Sequence, residues 1–467
     1  IVIAGDATLL VGGALDATGE DIRIETSGPV TLRDVTTNAT GDDTTIGDAT
    51  NGALEVTAAG AVSDAPGSAV AVDGDASFVA ATAARDDFFD VLLDEPGAHT
   101  VAGGLTLDAE DATVALAGPA ELRSIATRAG GVSPGDATAD PTIDGTGDFV
   151  LSARGTITES GAASIAGDAS FTALGSSGPF DIVLGDDESD DFLVGGVVSA
   201  DGEDVRIDLA QPIALGTVVA RATENDPTLV RFGADPDPNL FVEAAGSITD
   251  APGAAISAGG DAAFVAAVEE ETDISLFDVL LDEPDAHDLG GPVTVIAEDA
   301  FVETAGGAQL GFLVTVPGSS DPTIDATAGA GVERVTDYNV TIVSRGSIDG
   351  PIASPVVVAA RADTDLAADL ASIGVEGEQI GGDALFDATG GGSVAAFDAR
   401  LNDARSLSFL GAVSVIAEQA LLRDSGPLAL RELRLSGGSN DGLALDNREG
   451  ADSIIESFGT MRSIEGG

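Results

Sequence analysis

The chain has 467 residues and a formal net charge of −61, built from 80 acidic residues against 19 basic ones, all of them arginine. A hydrophobic fraction of 44% is ample for a core and argues against disorder, while the lack of a basic patch excludes nucleic-acid phosphates as partners. Without cysteine there are no disulfides and no thiolate metal sites, and no apolar run approaches the ~18 residues that span a bilayer, so no membrane insertion is expected of this segment.

Ile1-Val2-Ile3-Ala4-Gly5-Asp6 opens without an initiator Met or a charged leader, and Gly467 ends as abruptly. Both read as the middle of a repeat, so the chain is expected to be a piece of a longer one. Glu20-Asp21 then starts a frame of acidic pair, short alternating strand, Gly/Pro turn and second strand, running through Ile22, Ile24, Gly28-Pro29, Val30, Leu32 and Val35. The frame returns at Glu110-Asp111, Glu203-Asp204, Glu298-Asp299 and Glu418-Gln419, so the leading glutamates stand 90, 93, 95 and 120 residues apart. Near-fixed spacing of this kind signals a repeat architecture. The approximate copies are 1–85, 86–176, 177–270, 271–360 and 361–467, within one continuous repeat region covering 1–467. The long last interval reads as an insertion, and Arg361 to Glu378 is the best candidate for a helix or loop.

Other pieces recur between the frames. Val62-Ser63-Asp64-Ala65-Pro66-Gly67 has counterparts at Ile157-Thr158-Glu159-Ser160-Gly161 and Ile248-Thr249-Asp250-Ala251-Pro252-Gly253. Gly74-Asp75-Ala76-Ser77-Phe78 is matched at Gly167 to Phe171 and at Gly260 to Phe264. Phe89-Asp90-Val91-Leu92-Leu93 returns at Phe180, Phe277 and, more loosely, Phe397. Apolar clusters of three to six residues bounded by Gly, Pro, Asp or Asn are strand-and-turn signatures, and helical periodicity is nearly absent.

The expected fold is all-β: a single-stranded parallel β-helix, or solenoid, with three short strands per coil and about four coils per period. Tandem immunoglobulin-like or cadherin-like sandwiches are the alternative, disfavoured by the missing Trp and the missing linkers. Gly28, Gly118 and Gly426 are expected to supply permissive dihedrals, with Pro29, Pro119, Pro212 and Pro427 presetting chain direction.

Gly246-Ser247-Ile248-Thr249-Asp250, Gly260 to Phe264, and Phe180 to Leu184 leading to Gly195-Gly196-Val197-Val198 resemble the repeats of filamentous-haemagglutinin-like bacterial surface exoproteins. The resemblance covers about residues 1–350. It implies a right-handed β-helix, export by two-partner secretion, and an extracellular shaft that is adhesive or presents an adhesive surface. A host, cell or glycan surface is the implied partner; the open ends of a solenoid add end-to-end self-association into filaments. The resemblance supplies no catalytic residues.

Chemistry is otherwise sparse. His99 and His287 each lie ten residues after the Phe of a recurring piece, and a duplicated position points to structure rather than catalysis. No nucleophile elbow and no phosphate-binding loop is present, and no enzymatic activity or required cofactor is expected, a polysaccharide-active β-helix being the less favoured reading. Clustered hard oxygens make calcium the one chemical candidate, at Asp73, Asp75, Asp186, Asp187, Glu188, Asp190, Asp191, Asp235 and Asp237, with Glu269-Glu270-Glu271 as a further acidic run. Strong self-repulsion at low salt suits a halophilic or calcium-bearing medium.

Overall fold

A computed structural model describes residues 2–3, 14–39, 52–129, 146–176, 178–185, 192–221, 240–270, 273–284, 286–315, 340–345, 347–350, 379–380, 384–388, 399–401, 408–409, 412–424, 428–435, 453–457 and 462–463. Every regular element among them is a β-strand. The chain divides into two compact units, Ile1–Leu209 and Ala210–Gly467, with the division inside the third copy of the repeat.

In unit 1 successive strands alternate between two parallel sheets. The first stacks Val2–Ile3, Ile22–Thr26, Leu54–Ala58, Ala76–Ala80, Gly104–Ala109 and Ala120–Thr127, and ends on Val205–Leu209. The second stacks Leu15–Gly19, Val30–Thr37, Val62–Val72, Val91–Leu93, Ala112–Leu116, Phe149–Ala153, Ala169–Gly175 and Val197–Gly202. Unit 2 is built alike: Leu240–Ala244, Ala262–Glu270, Pro292–Ala297 and Ala308–Thr315 form one parallel ladder. Val279–Leu281, Ala300–Thr304, Val340–Ser344, Ala384–Asp387, Ala412–Ala417 and Ala429–Leu435 form the other. Two parallel sheets joined strand by strand are a β-solenoid. Sandwiches are antiparallel, so the tandem-sandwich alternative fails.

The core follows from period-2 patterning. Inward positions stack like on like, as in Val56, Phe78 and Leu107 on three consecutive rungs. Phe78, Phe149, Phe171, Phe192, Phe264 and Phe386 are fully buried, and Phe149 meets Phe171 edge-on with ring centroids 5.7 Å apart.

The repeat differs from the sequence expectation in an instructive way. Between Ile22–Thr26 and Ala112–Leu116 the chain changes sheet at Val30, Leu54, Val62, Ala76, Val91, Gly104 and Ala112. Seven half-coils make three and a half coils, so the first frame lies in the first sheet, the second in the second, and the third (Val205–Leu209) in the first again. Unit 2 repeats the count from Ala300–Thr304 to Ala420–Asp424, through Ala308, Val340, Ile348, Ala384, Ala399, Ala412 and Ala420. Each coil has two strands rather than three. The expectation of three arises because some strands are interrupted: Ile157–Glu159 and Ala163–Ile165 both pair with the single strand Ala120–Thr127.

An interruption of the same kind explains the 120-residue interval. Ile348–Gly350 and Gln379–Ile380 both pair with Ala308–Thr315, so the extra residues fall inside one interrupted strand and leave the half-coil count unchanged. Arg361 to Glu378 lies outside the described residues.

The turn glycines also depart from expectation. Gly28 and Gly118 have no positive φ, and a Cβ at either would touch nothing within 4 Å. The required glycines are on the next rung: a Cβ on Gly60 would lie 2.5 Å from the Pro29 nitrogen, and one on Gly155 2.7 Å from that of Pro119. The prolines set the corner, and the next rung must pass with bare backbone. Gly426 and Pro427 lie outside the described residues.

Candidate functional site

The acidic frame is consumed by the fold. Asp21 is buried, and its Oδ1 accepts N–H bonds from Gly52 and Ala53, each at 2.9 Å. Asp111 does the same for Gly147 and Asp148, at 2.8 and 2.7 Å. Gly52 and Gly147 sit at φ +86° and +88°, a region that favours glycine, and the Thr37 and Thr127 hydroxyls donate to their carbonyls. Each Asp thus holds the turn that enters the next rung. The Glu before it is buried in four of five copies, at Glu110, Glu203, Glu298 and Glu418.

The calcium candidates divide into two groups. Asp73 and Asp75 are among the described residues. Asp75 accepts from Gly104 N at 2.8 Å through Oδ1 and from Arg123 Nη1 at 2.5 Å through Oδ2, while Asp73 Oδ2 accepts from Ala39 N at 3.2 Å. Asp168 is the counterpart of Asp75 in the following period, accepting from Val197 N at 2.7 Å. Asp186, Asp187, Glu188, Asp190, Asp191, Asp235, Asp237 and Glu271 lie outside the described residues. Among the described residues no group of three or more His, Asp or Glu is arranged to hold a metal ion.

The most organised polar site is duplicated, once in each unit. His99 is 1% exposed; its Nε2 lies 2.8 Å from Asp64 Oδ2, and its Nδ1 accepts the Val70 N–H at 3.1 Å. His287 is 0% exposed; its Nε2 lies 3.0 Å from Asp250 Oδ2, and its Nδ1 accepts the Ile256 N–H at 3.2 Å. A backbone N–H can only donate, so Nδ1 is the bare nitrogen and Nε2 carries the proton given to the carboxylate. Each imidazole is therefore a neutral clasp. It fills the bow where a strand swings out through Asp64-Ala65-Pro66-Gly67 or Asp250-Ala251-Pro252-Gly253, whose glycines stand at φ +77° and +81°.

The carboxylates are well supplied with donors. Asp64 Oδ2 also accepts from Glu95 N at 3.0 Å, and Asp250 from Glu283 N at 2.8 Å and Asp282 N at 3.2 Å. Burial pushes the Asp250 carboxyl up, but the hydrogen bond to His287 and the two backbone donors outweigh it and hold it below the usual Asp range. Nearby Glu303 is held above the usual Glu range by burial and by the charges of Asp282 and Asp387.

The intervening period solves the same problem without histidine. Glu159, 1% exposed, accepts from Gly161 N at 2.7 Å with one oxygen and from Gly185 N at 3.1 Å with the other. One longer carboxylate thus ties its own rung to the next. The sequence alone singles out both histidines and both Asp-Ala-Pro-Gly pieces, but does not join them. The signal that could do so is joint variation: Asp-Ala-Pro-Gly occurs one rung before each His, and where Glu159 replaces it no His follows. Both ring nitrogens are engaged inside the wall, so the clasps have the geometry of structure rather than proton transfer to a substrate.

No helix among the described residues is long and apolar enough to cross a membrane. Residues 32–98 and 129–201, less than a third of the chain, match a family described as repeats of unknown function (DUF5649). Each matched stretch runs through a Gly-Asp-Ala-Ser-Phe piece and a Phe-Asp rung, in step with the structural period. No curated protein and no solved structure matches the chain.

Proposed function

We propose that this chain is a non-catalytic shaft segment of a large secreted bacterial cell-surface protein of filamentous-haemagglutinin-like type. Its role is structural or adhesive, and its place is outside the cell. The observation that carries the reading is how the repeated polar residues are used. Asp21, Asp75, Asp111, Glu159 and Asp168 each close a turn or tie one rung to the next. A chain that commits its recurring carboxylates to stacking invests in length. Acid on the outer face keeps neighbouring solenoids apart, while a host, cell or glycan surface is the partner proposed for the assembled protein. End-to-end pairing of coils belongs to the same proposal.

Small-angle scattering in high salt tests it. A rod-like shaft gives a pair-distance distribution skewed to long distances, whereas a compact globule, with a radius of gyration of about 23 Å at this length, gives a symmetric one. A symmetric distribution sinks the shaft reading. End-to-end association predicts a sedimenting mass that grows with concentration, and a constant monomer mass removes that component alone.

A further inference from the structure

The two His–Asp clasps have a property that neither the stacking of coils nor the shaft proposal requires. A neutral imidazole offers one donor and one acceptor, and each clasp uses both; an imidazolium offers two donors and no acceptor. The second proton can go only on Nδ1, where the Val70 N–H points in unit 1 and the Ile256 N–H in unit 2. The Nε2 side of the ring is unaffected, because Asp64 Oδ2 and Asp250 Oδ2 accept from either form.

We propose that His99–Asp64 and His287–Asp250 are acid-opened latches: a proton on the ring keeps the carboxylate bond and releases the strand amide that closes the bow. The groups around each latch do not supply a replacement acceptor. Around His99 these are Asp64, the Glu95 N–H given to that same Asp64 oxygen, the Glu95 carboxylate on Gly67 N at 3.1 Å, and the Ser68 hydroxyl 3.4 Å from Asp64 Oδ2. The Arg154 guanidinium packs on Gly97 of the histidine's own loop. Around His287 they are Asp250, the Asp282 and Glu283 N–H groups given to it, and the Asp282 and Glu303 charges. Val70 and Ile256 are 1% and 0% exposed, so water does not stand in for the lost nitrogen. The strand end must therefore swing away from the wall at Pro66-Gly67 and Pro252-Gly253. Glu159 is the internal control, since it holds Gly161 and Gly185 with no titrating ring.

Hydrogen exchange on the full chain, followed from about pH 8 to about pH 5 across the range where imidazole titrates, tests this. After correction for intrinsic rates, Val70 and Ile256 are expected to lose protection tenfold or more, while Gly161 and Gly185 keep theirs. Equal loss at all four amides, or no loss at any, overturns the proposal. A second arm uses His99→Gln with His287→Gln, because the Gln amide presents a donor and an acceptor at every pH in this range. The double variant should abolish the pH dependence. If it retains the wild-type profile, another group is responsible and the latches are refuted; if it does not fold, the wild-type comparison alone decides.

Discussion

At Asp111 one buried carboxylate oxygen takes two backbone N–H groups, from Gly147 and Asp148. Asp111→Ala leaves both donors without that acceptor, and a buried donor without a partner costs about 1–3 kcal/mol. The expected loss is therefore about 2–4 kcal/mol, read as a lower urea midpoint. An unchanged midpoint would show that the acidic frame is surface charge after all. The titrating groups of unit 2 pull in opposite directions. Asp250 has its folded pKa below the unfolded value of about 3.8, so its contribution is present above that pH and fades as pH falls through the folded value. Glu303 is the reverse: its folded pKa is raised, so it favours the fold below about pH 4.5 and opposes it at neutrality. Glu303→Gln should accordingly raise the melting temperature at pH 7 and change little at pH 4. The gain is no more than about 1 kcal/mol, because the group is partly solvated and screened. A loss at pH 7 would mean that the Glu303 carboxylate makes a contact worth more than its burial and its repulsion by Asp282 and Asp387 cost.

Among elements, the corner between frame strands gives a paired test. Gly60→Ala forces a methyl to 2.5 Å from the Pro29 nitrogen and 2.9 Å from its Cα. Backbone cannot yield as a side-chain tip does, so a cost of about 1–3 kcal/mol follows. Gly28→Ala meets nothing within 4 Å and needs no positive φ, so it should be neutral within about 0.5 kcal/mol or mildly stabilising. Thermal melts of the two variants separate the glycine that the sequence motif advertises from the one the stack requires. Sequence alone points to Gly28 because Gly-Pro looks like a turn. The Gly60 constraint comes from a neighbour 31 positions earlier in the chain, and no local pattern shows it. The same limit hides the half-coil repeat: strand identity is legible from alternation and turn residues, but the two halves of an interrupted strand look like two strands until pairing with Ala120–Thr127 unites them. The histidines are readable as structural from their duplication, whereas their carboxylates, 35 and 37 positions away, need the stack to bring them in.

On the scale of the whole chain, −61 charges on 467 residues set the conditions under which any of this folds. Repulsion among exposed carboxylates is long-ranged at low salt and collapses to a screening length of about 3 Å at 1 M. The described carboxylates that look most like ligands, Asp73 and Asp75, are already hydrogen-bonded to backbone and, for Asp75, to Arg123. Generic screening and specific calcium binding therefore make different predictions for circular-dichroism melts in low salt, in high NaCl and in millimolar calcium. If screening rules, the β-rich spectrum persists and its midpoint rises alike in NaCl and in calcium matched for ionic strength. Chelator then changes nothing beyond ionic strength. If calcium alone raises the midpoint strongly and chelator reverses it, the acid coat contains true sites, and Asp186 to Asp191 become the first positions to neutralise. At Asp75 the first outcome is favoured, because an arriving ion must compete with the Arg123 guanidinium already paired with the carboxylate.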